Sequence, residues 1–178
     1  MQQILIVDEQ DNVIGEGDKE KCHDGGGILH RAFLAMVFNG AGELYLTRRS
    51  GKKRLWPGFW DGTVASHVLK GEDYEQASRR RLAEEIGLTT GDVTYLFKFQ
   101  YRVGYMDIGA ENEICAVTAT KGVEAAMLIP DPEEISEIKI IDLQSLVRDM
   151  QVNGHIYAPW LVLAVEHMAE RNLLWSRP

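Results

Sequence analysis

Between Ser66 and Leu88 the chain reads SHVLKGEDYEQASRRRLAEEIGL, with Glu72, Arg80, Arg81, Glu84 and Glu85 along one strongly helical run. A turn at Lys70-Gly71 leads in, and Gly87 supplies the stop. Arg80 and Arg81 stand four residues before Glu84 and Glu85, so each pair shares a helical face. Carboxylates ringed by arginines at a loop-to-helix junction suit a divalent metal holding a phosphate chain. The same charges also read as salt bridges on a solvated helix, and the run alone leaves both readings open. Other groups able to do chemistry lie far off in sequence. His23 and His30 are seven apart around the Gly25–Gly27 loop, and His67 follows the strand-like Thr63-Val64-Ala65. Glu111 and Glu113 alternate toward one face of a strand. Three imidazole nitrogens and two carboxylates would suit six-coordinate Mn²⁺, Mg²⁺ or Zn²⁺. Spacing alone does not bring the five together.

The elements that must position these groups are legible in outline. Gln3 to Val7 and Val13-Ile14 read as a hairpin turning at Asp11-Asn12. Arg31 to Phe38 and Glu43 to Arg48 read as strands bracketing the hairpin dipeptide Asn39-Gly40. A basic loop runs from Arg49 to Gly58, and Asp73 to Ile86 reads as a helix. Thr94 to Val103 alternates, with Tyr95, Phe97, Phe99, Tyr101 and Val103 on one side. Glu111 to Thr120 alternates too, placing Cys115 with Glu111 and Glu113. One helix starts near Leu143 behind the cap Asp142, and another near Trp160 behind Pro159. Mixed strands with helices on both sides predict an α/β sandwich.

At 178 residues, the chain is expected to form a single domain over 1–178. Net charge −8 and pI near 5.1 argue against broad nucleic-acid or anionic-membrane binding. An anionic substrate would therefore be held by a local Lys and Arg cluster. No apolar run approaches the roughly 20 residues of a membrane span, and no signal-like segment opens the chain. Cys22 and Cys115 have neither metal-pair nor disulfide-framework spacing, so a reducing cytoplasm is expected. His155 and His167 receive no role. Trp175 has two open readings, interface residue or lid.

The run from Ser66 resembles the Nudix box: glycine, glutamate, then Arg-Glu-x-x-Glu-Glu-x-Gly. Glu72, Arg80, Glu84, Glu85 and Gly87 fall in register, while Ser66 replaces the first glycine and Arg81 the first helical glutamate. From about Ile4 to Trp160 the chain resembles type I isopentenyl-diphosphate isomerases, a Nudix branch that interconverts isopentenyl and dimethylallyl diphosphate. That resemblance implies a Nudix-type α/β/α sandwich with a mixed sheet and the box loop-helix. It implies metal ligands at His23, His30, His67, Glu111 and Glu113, and diphosphate contacts at Lys19, Arg49, Lys53 and Arg81. Glu85 corresponds to a carboxylate associated with a second Mg²⁺ bridged by the diphosphate, and Tyr101 and Trp160 to active-site aromatics.

Alkene isomerisation by acid–base steps passes through a tertiary carbocation and needs a positioned acid. Glu113, tuned by metal and by Tyr101, fits that task. Trp160 could stabilise the cation through its π face by ~1–2 kcal/mol; its plainer reading is a buried tryptophan opening a helix. One departure is large: the family's catalytic cysteine is Ala65 here, which moves no proton. Ser66 should point to the opposite face, and Cys115 shares the face of Glu113 rather than the thiol's side. Glu84 restores a hydrolase-like glutamate pair. Two alternatives therefore stand beside the isomerase. One is a hydrolase of prenyl or nucleoside diphosphates with metal on Glu72, Glu84 and Glu85; the other is a catalytically disabled prenyl-diphosphate binder.

Overall fold

A computed structural model describes residues 2–173; Trp175 lies outside them. The chain opens with β1 (Gln3–Val7), β2 (Val13–Asp18) and, after the short helix α1 (Lys19–Cys22), the central strand β3 (His30–Val37), continuously apolar from Ala32. Then come β4 (Leu44–Arg49), β5 (Trp60–Asp61), β6 (Val64–His67) and the box helix α2 (Tyr74–Ile86). The long strands β7 (Thr94–Tyr105) and β8 (Gly109–Thr120) precede β9 (Ile135–Ile141), α3 (Leu143–Asn153) and α4 (Pro159–Glu170). No described helix is long and apolar enough to cross a membrane.

The larger sheet runs β2-β1-β3-β8-β7, with β6 also on β3; β3 and β8 are parallel and the other pairings antiparallel. Because β3 is buried on both faces, alternate residues feed two cores. Phe33, Ala35 and Val37 pack with Ala77, Leu82 and Ile86 of α2, whereas Leu34 and Met36 pack with Leu161, Ala164 and Val165 of α4. Helices thus cover both sides of a mixed sheet, as the α/β/α expectation required.

Helix α2 begins with a reciprocal capping box. Asp73 accepts from the Gln76 N–H while the Gln76 side chain accepts from the Asp73 N–H. It ends at Gly87, whose φ of 69° is costly for any residue with a Cβ. Asp142 caps α3 by accepting from the Ser145 N–H.

Three expectations need correction. β3 and β4 do not form a hairpin ladder; they meet through the single Phe38–Leu44 bridge. Asn39 does turn the chain, accepting from the Ala41 and Glu43 N–H groups, but both edges of β3 are already taken by β6 and β8. β4 therefore pairs with β5 and β9 in a second sheet. Tyr95 is not in line with Phe97 and Phe99. A register shift between Tyr95 and Phe97 turns it to the α2 side, against Tyr74. The second strand also continues to Asp18, well past Val13-Ile14.

Candidate metal and substrate site

The candidate site forms where four strands and one loop place polar side chains on the α4-facing side of the sheet. Register builds it in rows. His30 on β3 opposes Glu113 on β8, which opposes Tyr101 on β7; one row along, His67 opposes Ala32, which opposes Cys115. Ala65 opposes Leu34 in the next row and faces the same way. Glu111, two residues before Glu113, joins them from β8. His23 arrives from the loop after α1 and is fixed where its carbonyl accepts from the Ala110 N–H at 2.9 Å. Gly109 permits that approach, since a Cβ there would lie 2.3 Å from the His23 carbonyl oxygen.

His23, His30, His67, Glu111 and Glu113 are all buried, and their ligand atoms lie within 4.8 Å of one another. Among the described residues no second group of three or more such ligands occurs. The Nδ1 of His23 is 2.6 Å from the Lys19 carbonyl oxygen and that of His30 is 2.7 Å from the Ile28 carbonyl oxygen. A carbonyl only accepts, so both Nδ1 atoms carry a proton and both Nε2 atoms face the cluster. His30 Nε2 is buried without a hydrogen-bond partner, its nearest carboxylate oxygen being Glu113 Oε1 at 3.3 Å. An orphaned buried acceptor beside two carboxylates and two more imidazoles suits a divalent cation. Burial works against a charged His23, but Glu111, 2.8 Å away, and the Lys19 carbonyl outweigh it, so its pKa is raised. Burial and the neighbouring His30 and His23 push His67 well down, leaving it neutral and ready to ligate.

Glu113 divides its two oxygens. Oε1 faces His30 and His67, while Oε2 accepts from the Tyr101 hydroxyl at 2.6 Å. Burial favours the neutral acid, yet neighbouring His30 and the hydrogen bond from Tyr101 outweigh it and its pKa is lowered. Burial, with Glu113 beside it, drives Tyr101 well up, so the phenol keeps its proton. The same two causes raise the Cys115 thiol.

A cavity of about 370 Å³ opens in front of this cluster. His23, His67, Glu111, Glu113, Tyr101, Trp160 and Ala65 line it, as do Lys19, Arg49, Lys53 and Arg81. Ser66 opposes Phe33 and therefore faces away from Ala65, as alternation required, but it also borders the cavity at the edge strand β6. Three of these cations are already engaged. Arg49 donates to the Trp56 and Leu55 carbonyls and to Asp61, and Arg81 donates to Glu84, Glu85 and Glu134. Lys53 pairs with Glu134 and Lys52 with Glu133. Burial, reinforced by the Arg49, Lys19 and Arg81 cations, lowers Lys53 to about 8.

Sequence reading missed several of these groups. Glu133, Glu134, Lys52 and Arg54 line the cavity, and Asp61 lies behind Trp160. Lys52 and Arg54 lie in the basic loop and Asp61 in the polar break after Phe59-Trp60, whereas Glu133 and Glu134 left no local signal. The box carboxylates do not converge. Glu72 accepts from Arg80 and the Leu69 N–H, Glu84 is half exposed against Arg80 and Arg81, and Glu85 is buried behind Arg81. Burial raises the pKa of Glu85 against the opposing pull of Arg81 and Lys53.

Residues 28–161 match the family model described as NUDIX domain. The chain belongs to the NUDIX domain family. Within it, this NUDIX chain is 33% identical over 172 residues to the isopentenyl-diphosphate Delta-isomerase of Klebsiella pneumoniae subsp. pneumoniae, spanning 96% of this chain and 92% of that protein. It is 33% identical over 168 residues to that of Halobacterium salinarum, covering 92% and 78% of the two chains. Among solved structures, DR0079 from Deinococcus radiodurans superposes with TM-score 0.75 at 22% identity over 93% of this chain and 98% of that one. A MutT protein from Methanosarcina mazei superposes with TM-score 0.63 at 20% identity, covering 81% and 95%. These two likenesses speak for the NUDIX fold alone.

Proposed function

We propose that this chain is a divalent-metal-dependent isomerase of a prenyl diphosphate, shifting a carbon–carbon double bond with Glu113 as the acid. The single observation that carries this reading is the placement of Glu113. One of its oxygens sits in the imidazole cluster and the other on Tyr101, at the floor of a cavity also lined by Trp160 and six cations. Three imidazole nitrogens and two carboxylate oxygens would suit a divalent cation that accepts mixed nitrogen and oxygen donors. When bound to His23, His30, His67, Glu111 and Glu113, that ion would supply Lewis acidity that sharpens the acid.

Lys19, Arg49, Lys53 and Arg81 hold the diphosphate, discouraging its loss as a leaving group. Glu113 takes a proton from solvent before the cavity closes, and entry of the apolar chain then removes the water that would favour its ionised form. Its proton goes to the terminal alkene carbon as the π electrons form the new C–H bond, leaving a tertiary cation against Trp160. An allylic C–H bond then breaks, its electrons close the new double bond, and water beside Ala65 takes the proton. A small methyl stands where a thiol base would act, so turnover is slow. The hydrolase alternative is the weaker one, because the oxygens of Glu72, Glu84 and Glu85 are held by arginines rather than gathered around one point.

The test is incubation of metal-loaded protein with isopentenyl diphosphate and Mg²⁺ or Mn²⁺ in heavy water. Deuterium entering the allylic positions is expected. Phosphate release without deuterium would replace the proposal with a hydrolase, and binding without either product would replace it with a binder.

A further inference from the structure

Asp61 is the buried carboxylate on which two of the cavity's side chains depend, though it does not line the cavity itself. It sits on β5, a strand of two residues held between Thr47–Arg48 of β4 and a bridge to Tyr157. Its Oδ1 accepts from the Trp160 Nε1–H at 2.8 Å and from the Gly62 N–H at 2.7 Å. Its Oδ2 accepts from Arg49 Nη1 at 3.1 Å. Gly62 cannot be replaced without cost, because a Cβ there would lie 2.4 Å from Leu34 Cδ1. The carboxylate therefore has a fixed place, at the junction of an indole and a guanidinium.

That junction poses an electrostatic problem. The Arg49 guanidinium carbon is 5.1 Å from the centre of the Trp160 ring. A tertiary carbocation forming against that ring would feel the arginine's charge across a water-poor wall, where repulsion is weakly screened. A carboxylate bonded to the arginine offsets its charge at the source. Its bond to the indole N–H also stops the ring from turning and draws the N–H dipole so that the π face becomes richer in electrons.

Resting on the isomerase reading above, we propose that Asp61 is a positioning residue for carbocation stabilisation. It locks the Trp160 face toward the substrate and neutralises Arg49, so that one arginine can bind diphosphate without opposing the cation.

The test separates the two ends of the substrate and needs no turnover. Three ligands are titrated by calorimetry into the Mg²⁺-loaded protein. They are inorganic pyrophosphate, 3-methylbutyl diphosphate, and an ethyl diphosphate whose terminal carbon bears a dimethylammonium group in place of the cation. The unaltered protein is expected to prefer the ammonium compound over the neutral one by at least tenfold. Asp61→Asn keeps the shape but removes the charge; it should lose most of that preference while binding pyrophosphate as tightly or more tightly, because Arg49 is released. Arg49→Gln should do the reverse, weakening pyrophosphate about tenfold and keeping the ammonium preference. This second variant decides the matter if Asp61→Asn does not fold. A purely structural ion pair would weaken all three ligands together in either variant, and that result overturns the proposal. So does an ammonium preference that survives in Asp61→Asn or disappears in Arg49→Gln. An unaltered protein with no preference for the ammonium compound overturns the isomerase reading itself.

Discussion

Removing the metal gives the most direct measure of whether the histidine–glutamate cluster is a binding site, because it can be read in stability without any assumption about substrate. The five donors lie within 4.8 Å of one another in a buried site. An ion that binds the folded chain and not the unfolded one adds about 2.7 kcal/mol when present at 100 times its dissociation constant. For a domain of this size roughly 2–4 °C accompanies each kcal/mol, so the melting temperature should rise about 5–11 °C on adding Mn²⁺ to chelator-treated protein. The rise should also depend on pH with a predictable sign. His23 has a raised pKa, so in the apo protein it contributes stability that is full below the unfolded value of 6.5 and is lost as pH rises through the folded one. Metal binding displaces that same proton, costing about 1.4 kcal/mol per pH unit below the folded pKa. The metal-induced rise should therefore be small near pH 6, grow with pH, and level off once His23 is neutral. Calorimetry at several pH values, with His67→Ala as the control, measures it. Equal melting temperatures with and without Mn²⁺ at pH 8, or an equal rise in His67→Ala, would refute the cluster as a metal site.

Four further outcomes are expected. Ala65→Cys should raise the isomerase rate at least tenfold in the metal-loaded protein, measured by deuterium exchange into isopentenyl diphosphate. Tyr101→Phe removes the 2.6 Å bond to a buried carboxylate, a loss of about 1.5–3 kcal/mol; kcat should fall on the order of 10- to 100-fold with KM little changed. Lys53, lowered to about 8, is cationic below that pH and neutral above it, so pyrophosphate affinity should fall as pH rises past 8. Lys53→Arg should hold its affinity to pH 9 in the same titration. Arg81→Glu should weaken pyrophosphate binding in calorimetry and lower the melting temperature, since it sets a second carboxylate against buried Glu85.

How much of this could be read without coordinates depends on the distance over which each signal acts. The pairing of Glu111 with Glu113 on one face follows from the two-residue period of a strand, so the sequence contains it outright. The cap at Asp73 and the stop at Gly87 are equally local. His30 and His67 meet Glu113 only because β3 lies between β8 and β6, and no spacing states that neighbour order. The missed β3–β4 divergence has the same origin: Asn39-Gly40 specifies a turn, but the occupied edges of β3 decide where β4 goes. Tyr95 fails for a smaller reason, since one bulge inverts a face and alternation cannot register it. Glu134 escaped notice because its partners Lys53 and Arg81 are remote in sequence, 81 and 53 residues away.

That last pairing changes how the basic cradle must work. A chain of net charge −8 can bind a diphosphate only where cations are gathered locally, yet gathered cations repel one another and cost stability unless they are offset. Glu134 offsets Lys53 and Arg81, Glu133 offsets Lys52, and Asp61 offsets Arg49. The carboxylates are therefore part of the cradle rather than competitors placed by accident. Those at the open rim, Glu133 with its partner Lys52, are well exposed and separate at little cost, as surface pairs do. Asp61 is buried and cannot leave Arg49 without stranding a charge. On the proposed reading, an incoming diphosphate would meet two kinds of cation: the rim lysine Lys52, which it can take over, and a deep arginine whose charge remains balanced while it binds.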